Sequence, residues 1–218
     1  MERHFDHDLG ELKDKLLMMA SHAEKAVNDA VRALVERNLE LALQVKANDE
    51  ILDHFEMDID EAAITLLARA PLASDLRLVT VAMKISQNLE RAGDEATKIA
   101  KRARDLAKEP PLKLALPFNQ MSSLALGLLK SALDAFVNRN SAAARALIPR
   151  DKEVNALHKE IQQKLIAHMK ENVDNIARCL HLLVAAKSLE RIADHATNIA
   201  EEVVYLCEAA DIRHADKG

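Results

Sequence analysis

Residues 89–100 read LERAGDEATKIA, and residues 189–200 read LERIADHATNIA. The two stretches are identical at eight of twelve positions, whereas unrelated stretches of ordinary composition agree at roughly one position in twelve. A repeat of this kind indicates that one structural unit occurs twice in the chain. The sequence therefore predicts two similar halves, each carrying a copy of this segment.

The composition is typical of long helices. Of the 218 residues, 49% are hydrophobic and 30% are charged, and there are only 4 Gly, 5 Pro, 4 Phe and 1 Tyr. Few glycines and prolines leave few places where a helix must end. The net charge of -5 and the scarcity of aromatic rings exclude nucleic acid as the main ligand, because phosphate contacts need a basic surface and bases stack on aromatic side chains.

The sequence predicts a cytoplasmic protein with no direct membrane insertion. Residues 1–10 contain no apolar leader, and Cys179 and Cys207 lack the CxxC spacing of a redox motif. Two isolated cysteines are typical of a reducing compartment. The longest uncharged run, residues 114–129, contains a proline and polar residues, so it falls short of the roughly 20 apolar residues that a bilayer crossing needs.

Helix breakers are scarce, so each one marks a boundary. Asn38 and Asn140 each follow an arginine in matching phrases of the two halves, and an Asn there is typical of a helix end or of the cap of the next helix. Pro71 marks the end of the second helix, and Pro149 predicts a bend near the start of the fifth. The six predicted helices are 8–37, 39–69, 73–108, 121–139, 141–171 and 174–210.

These helices predict an all-α fold of two tandem, pseudo-symmetric three-helix bundles. Apolar residues recur every three or four positions along the helices, as the buried face of a bundle requires. Pro110, Pro111 and Pro117 interrupt the middle of the chain. The predicted domains are therefore residues 1–109 and 121–218, joined by a linker at 110–120.

Each copy of the repeat places two carboxylates on one helical face. Glu90 and Asp94 are four residues apart, and Thr97 lies on the same face. The second copy repeats the arrangement, with one further carboxylate a turn later: Glu190, Asp194, Thr197 and Glu201. Two negative charges at this spacing repel each other. A multivalent cation would neutralise them, because hard cations, iron and manganese bind clustered carboxylate oxygens.

A second acidic face occurs on the preceding helix of the first half. Its members have the spacing of one helical face: Asp49, Asp53, Glu56 and Asp60. This face is placed to meet Glu90 and Asp94 across a helix pair. The equivalent positions of the second half are less acidic: Asp151, Asn155, His158 and Gln162. We therefore predict metal sites that differ in stoichiometry or affinity; the alternative is that both acidic faces are only solvated surface.

The repeated segments, together with PLASDLR at 71–77, resemble the signature of the PhoU family of phosphate-uptake regulators, and the resemblance covers essentially the whole chain. It implies a non-enzymatic cytoplasmic protein, commonly a homodimer, that negatively regulates a phosphate transporter and phosphate-starvation signalling. The implied partners are the ATPase subunit of the phosphate transporter and a phosphate sensor histidine kinase. The second half reads NVDNIARCL where the first reads PLASDLR, so Asp75 and Arg77 are candidate partner-binding residues in the first half alone.

The resemblance also implies multinuclear metal clusters on the signature carboxylates. Iron is the expected metal, with zinc, manganese and magnesium as alternatives. The candidate ligands combine the signature carboxylates with their acidic neighbours: Glu90, Asp94, Glu190, Asp194, Asp49, Asp53 and Glu201.

No catalytic residue is predicted. The sequence contains no HExxH, no GxxxxGK[ST] and no GxSxG, and it lacks the Glu-x-x-His pair of a ferritin-like di-iron protein. Two alternatives stay open on the residues. One is a metal-dependent phosphohydrolase that activates water with two cations. The other is a helical scaffold without metal.

Overall fold

The computed structural model describes residues 2–69 and 73–213, with side chains from residue 5 onward. Pro71 therefore lies outside the described residues. Within them the chain forms these α-helices: α1 (Glu2–Glu36), α2 (Leu39–Ala47), α3 (Glu50–Leu67), α4 (Ala73–Ala107), α5 (Phe118–Val137), α6 (Ser141–Leu147), α7 (Asp151–Glu171) and α8 (Ile176–Glu208). None of the described helices combines the length and the apolarity that a membrane crossing requires.

The helices form two three-membered bundles, which confirms the predicted fold. In the first bundle α4 packs against α1 and against the pair α2 and α3; in the second, α8 packs against α5 and against the pair α6 and α7. The apolar stripes face inward, with Leu16 and Leu89 fully buried in the first bundle and Leu129 and Leu189 in the second. Burial of one such leucine contributes about 1.5–3 kcal/mol.

The second and fifth predicted helices are each divided in two. In the first bundle α2 ends at Ala47 and α3 begins at Glu50. In the second, a 3-10 turn at Ile148–Arg150 separates α6 from α7, because Pro149 has no amide hydrogen for a continuing helix. The sequence predicts the bend at Pro149. It does not predict the earlier break, because no proline or glycine marks it.

The turn after the first helix is built alike in both bundles. Arg37 and Arg139, which follow α1 and α5, have left-handed backbones with φ of 57° and 47°. The next residue in each case, Asn38 or Asn140, accepts a hydrogen bond at 3.0 Å from the amide three residues later. Such a cap contributes about 1 kcal/mol. The internal repeat therefore includes backbone geometry as well as sequence.

The two bundles share a continuous core. Helix α4 lies antiparallel to α8 along the centre of the molecule, since Lys84 pairs with Glu202 near one end and Glu95 pairs with Arg191 further along. Buried apolar residues from both bundles form one cluster around these two helices. The repeated segments thus face each other across the middle of the protein.

The segment between α4 and α5 is extended and attached to both bundles. Its leucines pack on the core: Leu112, Leu114 and Leu116. Arg178 of α8 donates a hydrogen bond to the Pro110 carbonyl at 2.9 Å, and Arg37, which follows α1, donates to the Glu109 carbonyl. Helix α5 begins at Phe118, within the predicted linker of 110–120.

Candidate functional site

The acidic faces of α3 and α4 come together in the first bundle. Burial raises the pKa of Glu90 from 4.5 to about 7; the charges of Asp94, Glu56 and Asp53 add to the shift, and Arg91 opposes it. Burial also raises the pKa of Glu56, with Asp60 and Asp53 adding to the rise. We call this group the first carboxylate cluster: Asp49, Asp53, Glu56, Glu90 and Asp94.

Asp49 joins this cluster through the break between α2 and α3. It lies immediately before α3, and its Oδ1 accepts a 2.7 Å hydrogen bond from the Thr97 hydroxyl of α4. Gly93 permits this close approach: a Cβ at Gly93 would lie 2.1 Å from Leu52 Cδ1 at the start of α3. The break and the glycine together bring the start of α3 against the carboxylates of α4.

The second bundle has a chemically different cluster at the equivalent place. Glu190 of α8, with a side chain 16% exposed, lies 3.8 Å from Nδ1 of His158 and forms an ion pair with Lys187. On α7, the Asn155 amide donates a 2.5 Å hydrogen bond to Asp151. We call this group the second cluster: Asp151, Asn155, His158, Glu190 and Asp194. An amide and an imidazole thus take the places of two carboxylates, and a lysine already pairs with Glu190.

Both clusters offer donors that metals bind. The first is entirely carboxylate, which suits iron, manganese or magnesium, whereas the imidazole of the second also suits zinc. Burial and, after it, the neighbouring carboxylates raise the pKa of Glu90, and a bound cation would offset both by favouring the charged form. Among the described residues, three ligating atoms lie within 4.8 Å of one another only in His7, Asp8 and Glu11 on the surface of α1. Side chains in either cluster must therefore turn inward to hold an ion.

Three other predicted site residues lie apart from the clusters. Glu201 is buried, with 9% exposure, near the end of α8. A hydrogen bond to Asp211 raises the pKa of Arg213, and the nearby charge of Glu201 adds to that rise. Asp75 lies in the first turn of α4, where a negative charge interacts favourably with the helix dipole. Arg77 follows on the same helix and is half-buried; its Nε makes no hydrogen bond in the described part of the chain.

The two copies of the repeat line an open groove between α4 and α8, with a volume of about 420 Å³. We call it the central groove, and its residues form four pairs that are one hundred positions apart: Arg91 and Arg191, Asp94 and Asp194, Glu95 and His195, Lys98 and Asn198. Asp94 and Asp194 belong both to the clusters and to this groove. The groove therefore connects the two candidate metal centres.

Glu95 is the buried charge of the central groove. Its side chain is 6% exposed and lies 2.9 Å from Lys98 Nζ and 3.2 Å from Arg191 Nη1. Burial acts to raise the pKa of Glu95, but hydrogen bonds from Ser188, Lys98 and Arg191 outweigh it and lower that pKa. Sequence reasoning missed Glu95. The available signal was a charged residue directly before the buried stripe position Ala96.

His195 occupies the corresponding place from the other helix. Burial lowers its pKa below 6.5, with Glu95 opposing and Arg91 adding to the fall. Its Nδ1 lies 3.0 Å from Asn88 Oδ1. Because the Asn88 amide nitrogen donates to the Lys84 carbonyl at 2.8 Å, Oδ1 is the accepting atom, and Nδ1 of His195 carries the hydrogen.

The fold and these clusters define a class of helical protein in which two repeated three-helix bundles each present carboxylates on their last helix. The sequence model of the PhoU domain matches residues 16–103 and 118–203, one match in each bundle. The chain belongs to the PhoU family, which confirms the resemblance seen in the repeated segments.

Solved structures and curated relatives agree with this assignment. The chain is similar to the crystal structure of PhoU from Pseudomonas aeruginosa, with a TM-score of 0.91, 38% identity, and coverage of 94% of this chain and 100% of that one. The phosphate transport system regulatory protein PhoU from Streptococcus pneumoniae has a TM-score of 0.88 and 28% identity, over 95% and 98% of the two chains. The phosphate-specific transport system accessory protein PhoU homolog of Rhizobium meliloti (strain 1021) is 41% identical over 208 residues, which cover 94% of this chain and 88% of the relative.

Proposed function

We propose that this protein is an accessory regulator of phosphate-specific transport, acting as a cytoplasmic, metal-binding helical adaptor. The observation that carries the proposal is similarity across both bundles to a relative named as an accessory protein of phosphate-specific transport. A name of that kind describes regulation rather than catalysis and supports a non-enzymatic role. The adaptor restrains the transporter and phosphate-starvation signalling while phosphate is sufficient.

The partners in this proposal are the ATPase subunit of the transporter and a phosphate sensor histidine kinase, and the protein acts as a homodimer. Asp75 and Arg77 are proposed as contacts for one partner, because both are half-buried at the beginning of α4 and their side chains reach the surface there. A pull-down with the purified ATPase subunit and the kinase domain tests this assignment. Asp75→Asn with Arg77→Gln should weaken capture of one of them, whereas Arg32→Gln, an exposed change on α1, should not.

Both clusters are proposed to hold metal ions. Asp49, Asp53, Glu90 and Asp94 would supply oxygens in the first bundle. Glu190 and Asp194 would do so in the second, where Glu201 would have to leave its buried position to join. When bound, the metals supply positive charge to a face that is otherwise acidic, and such a face can receive an anionic group of a ligand or partner.

The metal assignment is tested by mass spectrometry of anaerobically purified protein. Changing Glu90, Asp94, Glu190 and Asp194 together to Ala should abolish stoichiometric metal. The control is Asp58→Asn with Glu61→Gln, two acids that line a separate groove between α1 and α3; it should leave the metal content intact. Unchanged metal in the fourfold variant would disprove the assignment.

The regulatory role is tested in cells. Deletion of the gene should raise phosphate-responsive transcription and phosphate uptake in phosphate-rich medium, and the wild-type chain should restore both. Normal regulation in the deletion strain would exclude the proposed function, whatever the metal content of the protein.

A further inference from the structure

The central groove does not have the symmetry that its sequence repeat suggests. Arg191 of α8 pairs with the buried carboxylate of Glu95 on α4. The equivalent residue of α4 is Arg91, and the position equivalent to Glu95 on α8 is His195. Arg91 and His195 both line the groove, and the charge of Arg91 lowers the pKa of His195. An imidazole therefore faces Arg91 where symmetry would place a carboxylate.

This substitution changes the charge inside the groove. Glu95 neutralises one of its two cationic neighbours, Lys98 and Arg191, so their combined charge exceeds that of the acid they share. Arg91 makes no ion pair among residues 5–69 and 73–213; its charge lowers the pKa values of Glu90 and Glu56 in the first cluster. Three cations thus share the groove with the buried carboxylate of Glu95 and the exposed carboxylates of Asp94 and Asp194, and the cations are in excess once the two aspartates are neutralised.

Hydrogen-bond donors and an acceptor complete the lining. The Asn88 Oδ1 atom accepts from both His195 Nδ1 and Asn198 Nδ2, at 3.0 and 3.2 Å. These bonds fix the imidazole and leave its Nε2 without a hydrogen bond in the described part of the protein. Nε2 can accept a hydrogen bond from the hydroxyl of a protonated oxyanion. The guanidinium groups can donate paired hydrogen bonds to the charged oxygens of the same anion.

We propose that the central groove binds a small tetrahedral oxyanion, inorganic phosphate, through Arg91, Lys98, Arg191 and His195. The groove itself follows from the geometry of α4 and α8, whereas the choice of phosphate rests on the proposed function. The site is separate from any phosphate held directly by metals, because its ligands are cationic side chains. The site lies between the two clusters, so phosphate would bind where the two bundles meet.

Asp94 and Asp194 make the site responsive to the metal centres. Both aspartates line the groove, and their negative charges oppose an anion there. Neutralisation of these aspartates, by a bound cation or by substitution, should therefore strengthen oxyanion binding. If phosphate were bound only through metals, loss of the aspartates would instead weaken its binding.

The experiment measures phosphate binding to chelator-treated, full-length protein by equilibrium dialysis with labelled inorganic phosphate. Asp94→Asn with Asp194→Asn should tighten binding at least threefold. Arg91→Gln, made in the wild-type and in the double Asn background, should weaken it about tenfold, the loss expected for a charge-assisted pair. Arg32→Gln on the surface of α1 is the matched control and should leave binding unchanged.

Phosphate binding that disappears in the double Asn protein, or that survives Arg91→Gln at full strength in both backgrounds, would overturn the proposal. Sulfate and ATP are tested in parallel, and tighter binding of ATP than of phosphate would overturn the choice of ligand. Circular dichroism confirms that each variant is folded; Arg91→Lys, which keeps the charge, should recover part of the affinity. The metal and gene-deletion tests do not involve Arg91. If phosphate does not bind in the central groove, those two tests still decide the proposed function.

Discussion

The two bundles carry the same pair of carboxylates on their last helix but surround that pair with different neighbours. Around Glu90 lie Asp53, Glu56 and Asp94, and burial, with the charges of these three acids adding to it, raises the pKa of Glu90 to about 7. Around Glu190 lie a histidine and a lysine. The motif is therefore only part of each site. The helix packed against the motif adds two acids in the first bundle and a histidine in the second, where Lys187 of α8 itself also pairs with Glu190.

The largest expected effect is on metal content, measured one bundle at a time. Glu90→Ala with Asp94→Ala should remove the metal of the first cluster and leave that of the second, and Glu190→Ala with Asp194→Ala should do the reverse. Glu56→His gives the first cluster the imidazole of the second and should shift its preference from iron or manganese toward zinc. Metal analysis after growth with each ion checks these outcomes. Loss of the metal of both clusters in either half-site variant would mean that the clusters do not bind independently.

A smaller effect should separate the packing of the two bundles. Gly93→Ala pushes a methyl group toward Leu52 and should lower the free energy of unfolding by about 1–2 kcal/mol, since overpacking outweighs the gain in helix propensity. Gly127→Ala in α5 is the matched control, because nothing lies within 4 Å of the added carbon; it should raise that free energy by about 0.5–1 kcal/mol. Denaturant unfolding measures both. Equal stabilisation by the two changes would refute the close approach of α3 and α4.

The central groove provides a third comparison, between Glu95 and its counterpart His195. Glu95→Gln should lower the free energy of unfolding at pH 7 by about 1–2 kcal/mol, because it weakens the contacts with Lys98 and Arg191. The folded pKa of Glu95 lies below 4.5, so its contribution is complete above pH 4.5 and is lost as the pH falls through the folded pKa. His195→Gln should cost only about 0.5 kcal/mol, since an amide can still donate to Asn88.

Unfolding curves at pH 7 and pH 3 distinguish the two sites. The difference in the free energy of unfolding between wild type and Glu95→Gln should be smaller at pH 3 than at pH 7. A gap that stays constant with pH would mean that the charge of Glu95 contributes nothing to folding.

The smallest expected effect is the pH dependence of the first cluster in metal-free protein. The folded pKa of Glu90, about 7, exceeds its ordinary 4.5, so the stability associated with its neutral form is present below pH 4.5 and is lost as the pH rises through 7. Glu90→Gln should therefore raise the free energy of unfolding at pH 8 by about 1 kcal/mol, after allowance for solvent screening, and change nothing at pH 4. Glu190→Gln loses the ion pair with Lys187 and should lower stability by a few tenths of a kcal/mol.

Melting in chelator at pH 4 and pH 8 measures this difference. A stabilisation of equal size in Glu90→Gln and Glu190→Gln would remove the electrostatic distinction between the bundles.

Much of this fold is determined by local sequence. The doubled segment, the apolar stripes and the two Asn caps predict two helical bundles, because helix periodicity and capping depend on residues only a few positions apart. Pro149 marks its own bend for the same reason. Local signals also place Glu90 and Asp94, or Glu190 and Asp194, on one face of a helix.

Only the tertiary structure decides which faces meet. The break before Asp49 has no local breaker and depends on how α3 packs at Gly93. The packing of α4 against α8 could not be predicted, and neither could the pairing of Glu95 with Arg191. An apolar helix face that closes a bundle has the same sequence pattern as one that joins two bundles. The sequence by itself determined the helices, their repetition and the candidate ligands. Long-range packing decided burial and charge proximity, because these depend on residues far apart in the chain, such as Asp49 with Thr97 and Glu95 with Arg191.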